Sequence, residues 1–230
     1  VITFSTQSDA TFTARNIELG DRRARFILER EGIELGPVEL SVPGMHNVYN
    51  ALAAFIVCLE AGLSFAQIAK SIKKFRGAKR RFQVIGEFDG ILVIDDYAHH
   101  PTEIEATISA AKATGKRIIA VFQPQRYTRT FFLLEPFSRA FKEADEVIVT
   151  DIFSPAGEER IEGVSSERLV EMIRKNSNPN AQYIASQEDV RAYLAKHASS
   201  GDVVLTMGAG DIYKTAHAFA ELLQSKQSIQ

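Results

Sequence analysis

The sequence predicts an α/β protein: a mostly parallel sheet wrapped by helices over residues 78–230, preceded by a smaller α+β segment over residues 1–77. Two observations carry this. Beyond residue 90, apolar runs at 91–95, 117–122, 146–150, 182–185 and 202–207 alternate with helical patterns at 102–113, 131–143, 165–175 and 187–196. Such alternation builds βαβ units and hence a Rossmann-like sheet with helices on its faces. Before residue 43, apolar and polar residues instead alternate in short pieces, as in Thr11-Phe12-Thr13-Ala14-Arg15 and Ala24-Arg25-Phe26-Ile27-Leu28. That is the period of half-buried antiparallel strands.

Each element has its own signal. Turns at Leu19-Gly20-Asp21 and Glu31-Gly32 divide the first segment into hairpins. After Pro43-Gly44 the period becomes helical: residues 48–61 form an apolar helix stopped by Gly62, and Ser64 caps an amphipathic helix reaching about Phe75. Gly77-Ala78 is the expected boundary. Asp89-Gly90, a favoured two-residue turn, joins 82–88 to 91–95 as a hairpin. Pro101 falls in the first turn of the next helix, where its missing N–H matters least. A last helix follows Asp211. The first 77 residues supply only a small core, and Val1 is not an initiator methionine, so the chain is expected to be a piece of a longer one.

Composition narrows the function. The 230 residues are 45% hydrophobic with a net charge of −2, as in a soluble globular protein of one or two domains. The longest apolar run, 51–59, is far below the ~20 residues of a membrane span, and no signal peptide opens the chain, so a cytoplasmic location and no membrane partner are expected. Cys58 is the single cysteine, which excludes an internal disulfide and makes it packing material. Lys79-Arg80-Arg81 is too short a basic run for nucleic-acid binding by charge. A small-molecule partner is expected.

Three strand ends carry the candidate chemistry: Asp95-Asp96-Tyr97-Ala98-His99-His100, Gln123-Pro124-Gln125-Arg126-Tyr127-Thr128-Arg129 and Gly208-Ala209-Gly210-Asp211. If their strands are parallel, all three share the carboxyl edge, where open α/β sheets bind ligands. Arg126 and Arg129 suit an acidic substrate, since guanidinium groups grip carboxylates and phosphates, whereas positive charge at a helix start is otherwise disfavoured. Asp95 and Asp96 suit a metal, sugar hydroxyls or a loop cap; alternation along a strand lets at most one face a ligand. By the same geometry His99 reaches the cleft and His100 belongs to the helix cap. Gly208-Ala209-Gly210 starts like a dinucleotide fingerprint but has Tyr213 in place of the third glycine and follows the last strand, so a Rossmann cofactor site is not expected there. Asn47 and Asn50 share a helical face and could read a purine edge, with an N-cap role open for Asn47.

Taken together, these strings, with Gly44-Met45-His46-Asn47-Val48-Tyr49-Asn50 and Met207-Gly208-Ala209-Gly210-Asp211-Ile212, resemble the Mur ligases from about Pro43 to Leu222. The resemblance implies that residues 1–77 end a central ATP-binding domain and that 78–230 form the C-terminal Rossmann-like ligase domain, which closes the site. It implies ATP-dependent amide formation in peptidoglycan precursor synthesis: the carboxylate of UDP-N-acetylmuramate becomes an acyl phosphate that the amine of L-alanine attacks. By the same resemblance, His46, Asn47 and Asn50 lie near adenine, Asp96 takes the ribose hydroxyls and Arg81 approaches the terminal phosphate. Tyr97, His99, Arg126 and Arg129 then line the L-alanine and carboxylate region, with His99, Arg126 and Arg129 catalytic.

Two departures bear on this. No Gly-x-x-x-x-Gly-Lys-Ser/Thr loop occurs, so phosphate-loop and Mg2+ ligands are expected upstream and this chain alone should not turn over ATP. Gln125 stands where the family usually has histidine, and an amide carries no proton between pH 5 and 8. Rival readings are a murein tripeptide recycling ligase, against which Tyr97 and the Arg126–Arg129 string argue, and a metal-dependent hydrolase using Asp95, Asp96, His99 and His100. The site itself is expected to hold no metal.

Overall fold

The computed structural model describes residues 1–7, 10–20 and 23–227, which divide into two compact units, Val1–Gly77 and Ala78–Gln230. In the first unit, β1 (Phe4–Ser5), β2 (Phe12–Leu19), β3 (Ala24–Arg30) and β4 (Ile33–Leu40) form a four-stranded sheet in sequence order. β2, β3 and β4 are antiparallel as expected, but β1 pairs parallel with β2, so the segment is not hairpins throughout. The Glu31-Gly32 turn has both residues at positive φ, 52° and 78°, which matches the right-handed twist of the flanking strands. Asp21 of the other expected turn lies outside the described residues.

Helix α1 (Met45–Glu60) starts three residues before the apolar stretch, because Gly44, at φ 90°, takes the N-cap position. Ser64 caps α2 (Phe65–Ile72) through the amide of Gln67, whose side chain accepts from the Ser64 N–H in return. α2 ends before Phe75. Phe12, Phe26, Leu28 and Leu40 of the sheet pack against Val48, Leu52 and Phe55 of α1 and Ile68 of α2, with Cys58 half-buried beside them.

The second unit carries a six-stranded sheet ordered β5 (Gln83–Phe88), β6 (Ile91–Asp96), β10 (Asp202–Met207), β7 (Arg117–Phe122), β8 (Glu146–Val149) and β9 (Ala181–Tyr183). Only the edge strand β5 is antiparallel. The runs read as strands because both faces are covered, so no polar alternation is needed. Leu92, Ile94, Ala120, Phe122 and Leu205 face α3 (Pro101–Lys112), α5 (Leu134–Arg139) and α6 (Ser166–Asn176), whereas Val93, Ile119, Val121 and Val204 face α7 (Gln187–His197) and α8 (Tyr213–Gln227).

One helix differs from expectation. Residues 131–143 do not form a single helix: α4 (Tyr127–Phe132) begins earlier, and Leu133, at φ −113° and ψ 15°, breaks it from α5. Phe137 of α5 and Phe141 close on Phe122 with ring centroids 5.4 and 5.6 Å away, which anchors the end of β7 in the core. Burying such a ring is worth about 1.5–3 kcal/mol.

Candidate active site

Register places three strand ends level. Met207 of β10 stands opposite Asp96 of β6 on one side and Phe122 of β7 on the other. The chain continues the pairing past each end: Gly208 donates its N–H to the Asp96 carbonyl, and Gln123 to that of Met207. With neighbouring strands about 4.8 Å apart, the Tyr97–His100 and Gln123–Arg129 junctions leave the sheet on one edge, roughly 10 Å apart, with the glycine loop between them.

The paired aspartates behave as strand geometry requires. They point to opposite faces, and both are buried, at 1% and 5% exposure. Asp95 accepts from Arg80 Nε at 2.9 Å and from the Thr206 hydroxyl at 2.7 Å. Asp96 accepts from the N–H groups of Phe82 at 2.6 Å and Ala98 at 2.7 Å, one on each carboxylate oxygen. Burial pushes both carboxyls above the usual range despite these partners.

Arg80 had no signal in the sequence beyond its place in a short basic run, yet it stitches the rim together. Besides Asp95, its guanidinium donates to the carbonyls of Gly208 at 2.5 Å and Gly210 at 3.0 Å and lies over the rings of Tyr97 and Tyr213. Arg80 and Phe82 both hold positive φ, 56° and 46°, a conformation costing roughly 1–2 kcal/mol per non-glycine residue. Asp95 and Asp96 restrain these two positions. Between them Arg81, with half its side chain exposed, lies over the Tyr97 ring and 3.9 Å from Glu103.

His99 Nδ1 is 2.9 Å from the Tyr97 carbonyl, which can only accept, so Nδ1 carries a hydrogen and, in the neutral ring, Nε2 has the lone pair. Glu103 restrains the same junction by accepting from the N–H groups of His99 and His100 and by approaching His99 Nδ1 at 3.4 Å. His100 takes the N-cap position of α3, exposed, with Nδ1 at the Thr102 hydroxyl.

Arg126 occupies the N-cap position of α4 at φ 69°, and its exposed guanidinium has no hydrogen-bond or ion-pair partner among the described residues. Arg129 Nη1 donates to Gln125 Oε1 at 2.8 Å, so the amide at that position orients a guanidinium. The glycines of the third junction serve close packing. A Cβ on Gly208, at φ 149°, would stand 2.7 Å from the Gln123 carbonyl oxygen, and one on Gly210 would meet Phe153 at 2.6 Å. Gln123 is held in turn by Asp211 and the Ile212 N–H.

His46, Asn47 and Asn50 belong to the first unit, in the first turns of α1. Asn47 is not the N-cap: its amide reaches back to the Pro43 carbonyl at 2.7 Å, and its Oδ1 is 3.5 Å from the exposed Asn50 amide nitrogen. Among the described residues no three His, Cys, Asp or Glu side chains gather to hold a metal; Asp95, Asp96, His99 and His100 are directed to separate partners. Likewise no helix among them is long and apolar enough to cross a membrane.

The family model described as Mur ligase, glutamate ligase domain, matches residues 80–210, and that of the Mur ligase middle domain matches residues 1–58. A UDP-N-acetylmuramate–L-alanine ligase of Symbiobacterium thermophilum is 45% identical over 98% of this chain and 47% of its own length. That of Pelotomaculum thermopropionicum is 48% identical over 96% of this chain and 48% of its own. The solved UDP-N-acetylmuramate–alanine ligase of Thermotoga maritima matches with a TM-score of 0.81 at 28% identity, covering 98% of this chain and 48% of that one. The chain thus spans about half the length of the curated relatives it matches.

Proposed function

Because the chain belongs to the Mur ligase family, we propose that it serves as the second half of a cytoplasmic ligase joining L-alanine to UDP-N-acetylmuramate at the expense of ATP, a step in peptidoglycan precursor synthesis. The observation that carries this reading is the level rim, which sets the Arg126 guanidinium, without a partner among the described residues, and the amide-held Arg129 across β10 from Tyr97 and His99. A small zwitterion and an activated carboxylate suit that gap. The relatives' names favour L-alanine over a tripeptide.

In this reading residues 1–77 end the central ATP-binding domain and residues 78–230 form the C-terminal ligase domain. ATP is a co-substrate and supplies the phosphoryl group that turns the muramate carboxylate into an acyl phosphate. The amine of L-alanine then attacks the acyl carbon, the amide C–N bond forms as the C–O bond to phosphate breaks, and inorganic phosphate leaves. Arg126 and Arg129 hold the amino-acid carboxylate and offset charge on the reacting group. His99, its tautomer fixed by the Tyr97 carbonyl, offers Nε2 to the proton lost by the amine.

Arg81, presented from a restrained backbone, meets phosphate oxygens; Asp96, with two of its roughly four acceptor positions filled, keeps others for ribose hydroxyls. The exposed amide of Asn50 beside the half-buried Asn47, with His46, suits adenine. Mg2+ accompanying ATP takes its ligands mainly outside these residues. The test is Arg129→Ala in the full-length enzyme: losing a charge-assisted contact worth ~1.5–3 kcal/mol lowers kcat/KM for L-alanine at least about tenfold. Unchanged kinetics would remove Arg129 from the site.

A further inference from the structure

We propose that Glu158, 30 residues beyond Thr128, is a positioning residue for amino-acid recognition, its carboxylate gripping the first turn of α4 and thereby setting where Arg126 and Arg129 stand. The proposal rests on the reading of those two arginines given above. Helix α4 cannot be explained by its own sequence. It has six residues, no acidic residue in its first turn, and at the N-cap position an arginine that makes no side-chain cap. So short a helix does not stand alone, and arginine there places charge against the helix dipole.

Glu158 supplies what is missing. One carboxylate oxygen accepts from the Tyr127 N–H at 3.2 Å and the Ser154 hydroxyl at 3.0 Å; the other accepts from the Thr128 N–H at 3.2 Å and its hydroxyl at 2.7 Å. Although partial burial works against the charge, these four donors hold the carboxyl below the usual glutamate range, so it stays ionised at neutral pH. The rest of its segment is fastened to the same junction. Phe153 accepts from the Arg126 N–H at 2.9 Å and donates to the Pro124 carbonyl at 2.8 Å, while a turn from Pro155 to Glu158, with Gly157 at φ 87°, brings the carboxylate round.

What Glu158 does not touch is equally telling. It forms no ion pair with Arg126 or Arg129 among the described residues, although it binds the two residues between them. Its hydrogen-bonding capacity goes to amides and hydroxyls, so it fixes the arginines' backbone and leaves their charge for an anionic ligand.

The test is Glu158→Gln in the full-length enzyme, beside Arg129→Ala. Glutamine keeps the volume, but its NH2 cannot accept the hydrogen bonds of one carboxylate oxygen. The expected result is an increase of about tenfold in KM for L-alanine, with KM for ATP within about twofold. In the 230-residue chain, the amides of Tyr127 and Thr128 should also exchange faster with solvent. If Glu158→Gln does not fold, Thr128→Val removes one donor and should move the same two readouts. A purely structural role would lower the amount of active enzyme without moving KM for L-alanine. Unchanged KM for L-alanine, equal rises for both substrates, or unchanged amide exchange each overturns the proposal. If Arg129→Ala raises KM for L-alanine and Glu158→Gln does not, the positioning role alone fails; if neither does, the amino-acid site itself is misassigned.

Discussion

Removing the Asp95 carboxylate should loosen the rim by an amount the structure sets. Asp95 is 1% exposed at its side chain and Arg80 19%, with 2.9 Å between Nε and Oδ2. Breaking a fully buried pair by deleting one partner costs about 3–5 kcal/mol. Arg80 keeps its two carbonyl acceptors and some access to water, so about 2–4 kcal/mol is expected for Asp95→Ala, which also strips the Thr206 hydroxyl of its shorter bond. Arg80→Met should cost a similar amount and add a pH dependence. Burial already holds Asp95 above its unfolded value, and losing the guanidinium raises it further. A raised carboxyl binds more protons folded than unfolded, so stability falls as pH rises from the ordinary carboxylate range through the folded value, and the Arg80→Met defect should be larger above that value than below it. The double variant removes both charges, and the singles should overstate its loss by about 1–3 kcal/mol. Hydrogen exchange of Val204, Leu205 and Thr206 in β10 reads this within the second unit, 2 kcal/mol appearing as about 30-fold faster exchange. Single variants within about 0.5 kcal/mol of wild type, or strictly additive losses, would mean that the Arg80–Asp95 pair does not hold the rim.

Two further outcomes follow from the same rim. Gly208→Ala places a Cβ 2.7 Å from a backbone oxygen at φ 149°, so it should destabilise by roughly 2 kcal/mol or more, measured as a lower urea midpoint at unchanged slope; a neutral effect would mean that the loop has room to move. Asp96→Ala should cost about 1–3 kcal/mol for two buried amides left without acceptors and, in the full-length enzyme, chiefly raise KM for ATP. A defect in kcat alone would contradict a ribose contact.

The sheet was legible because its inner strands are buried on both faces: Ile91 to Ile94, Ile118 to Phe122 and Val203 to Leu205 are nearly unbroken apolar runs. The shared edge followed from parallel strands ended by polar clusters. What could not be read depends on partners distant in sequence. Arg80 finds Asp95 and the Gly208 carbonyl across 15 and 128 positions. The start of α4 is capped by Glu158 from 30 residues away, which is why its local sequence did not announce a helix at Tyr127. The break at Leu133 lies inside an apolar stretch that periodicity reads as continuous. Strand order was likewise hidden, since β10, last in sequence, sits between β6 and β7. Asn47 left an N-cap role open, whereas Gly44, at φ 90°, holds the N-cap position of α1.

The most direct measurement is phosphate release by the full-length enzyme with ATP and UDP-N-acetylmuramate, comparing L-alanine with murein tripeptide. Release should require L-alanine, fail with tripeptide, and be absent when the 230-residue chain is assayed alone. Turnover with tripeptide in place of L-alanine, or ligation at a normal rate by the chain alone, would contradict the proposed function.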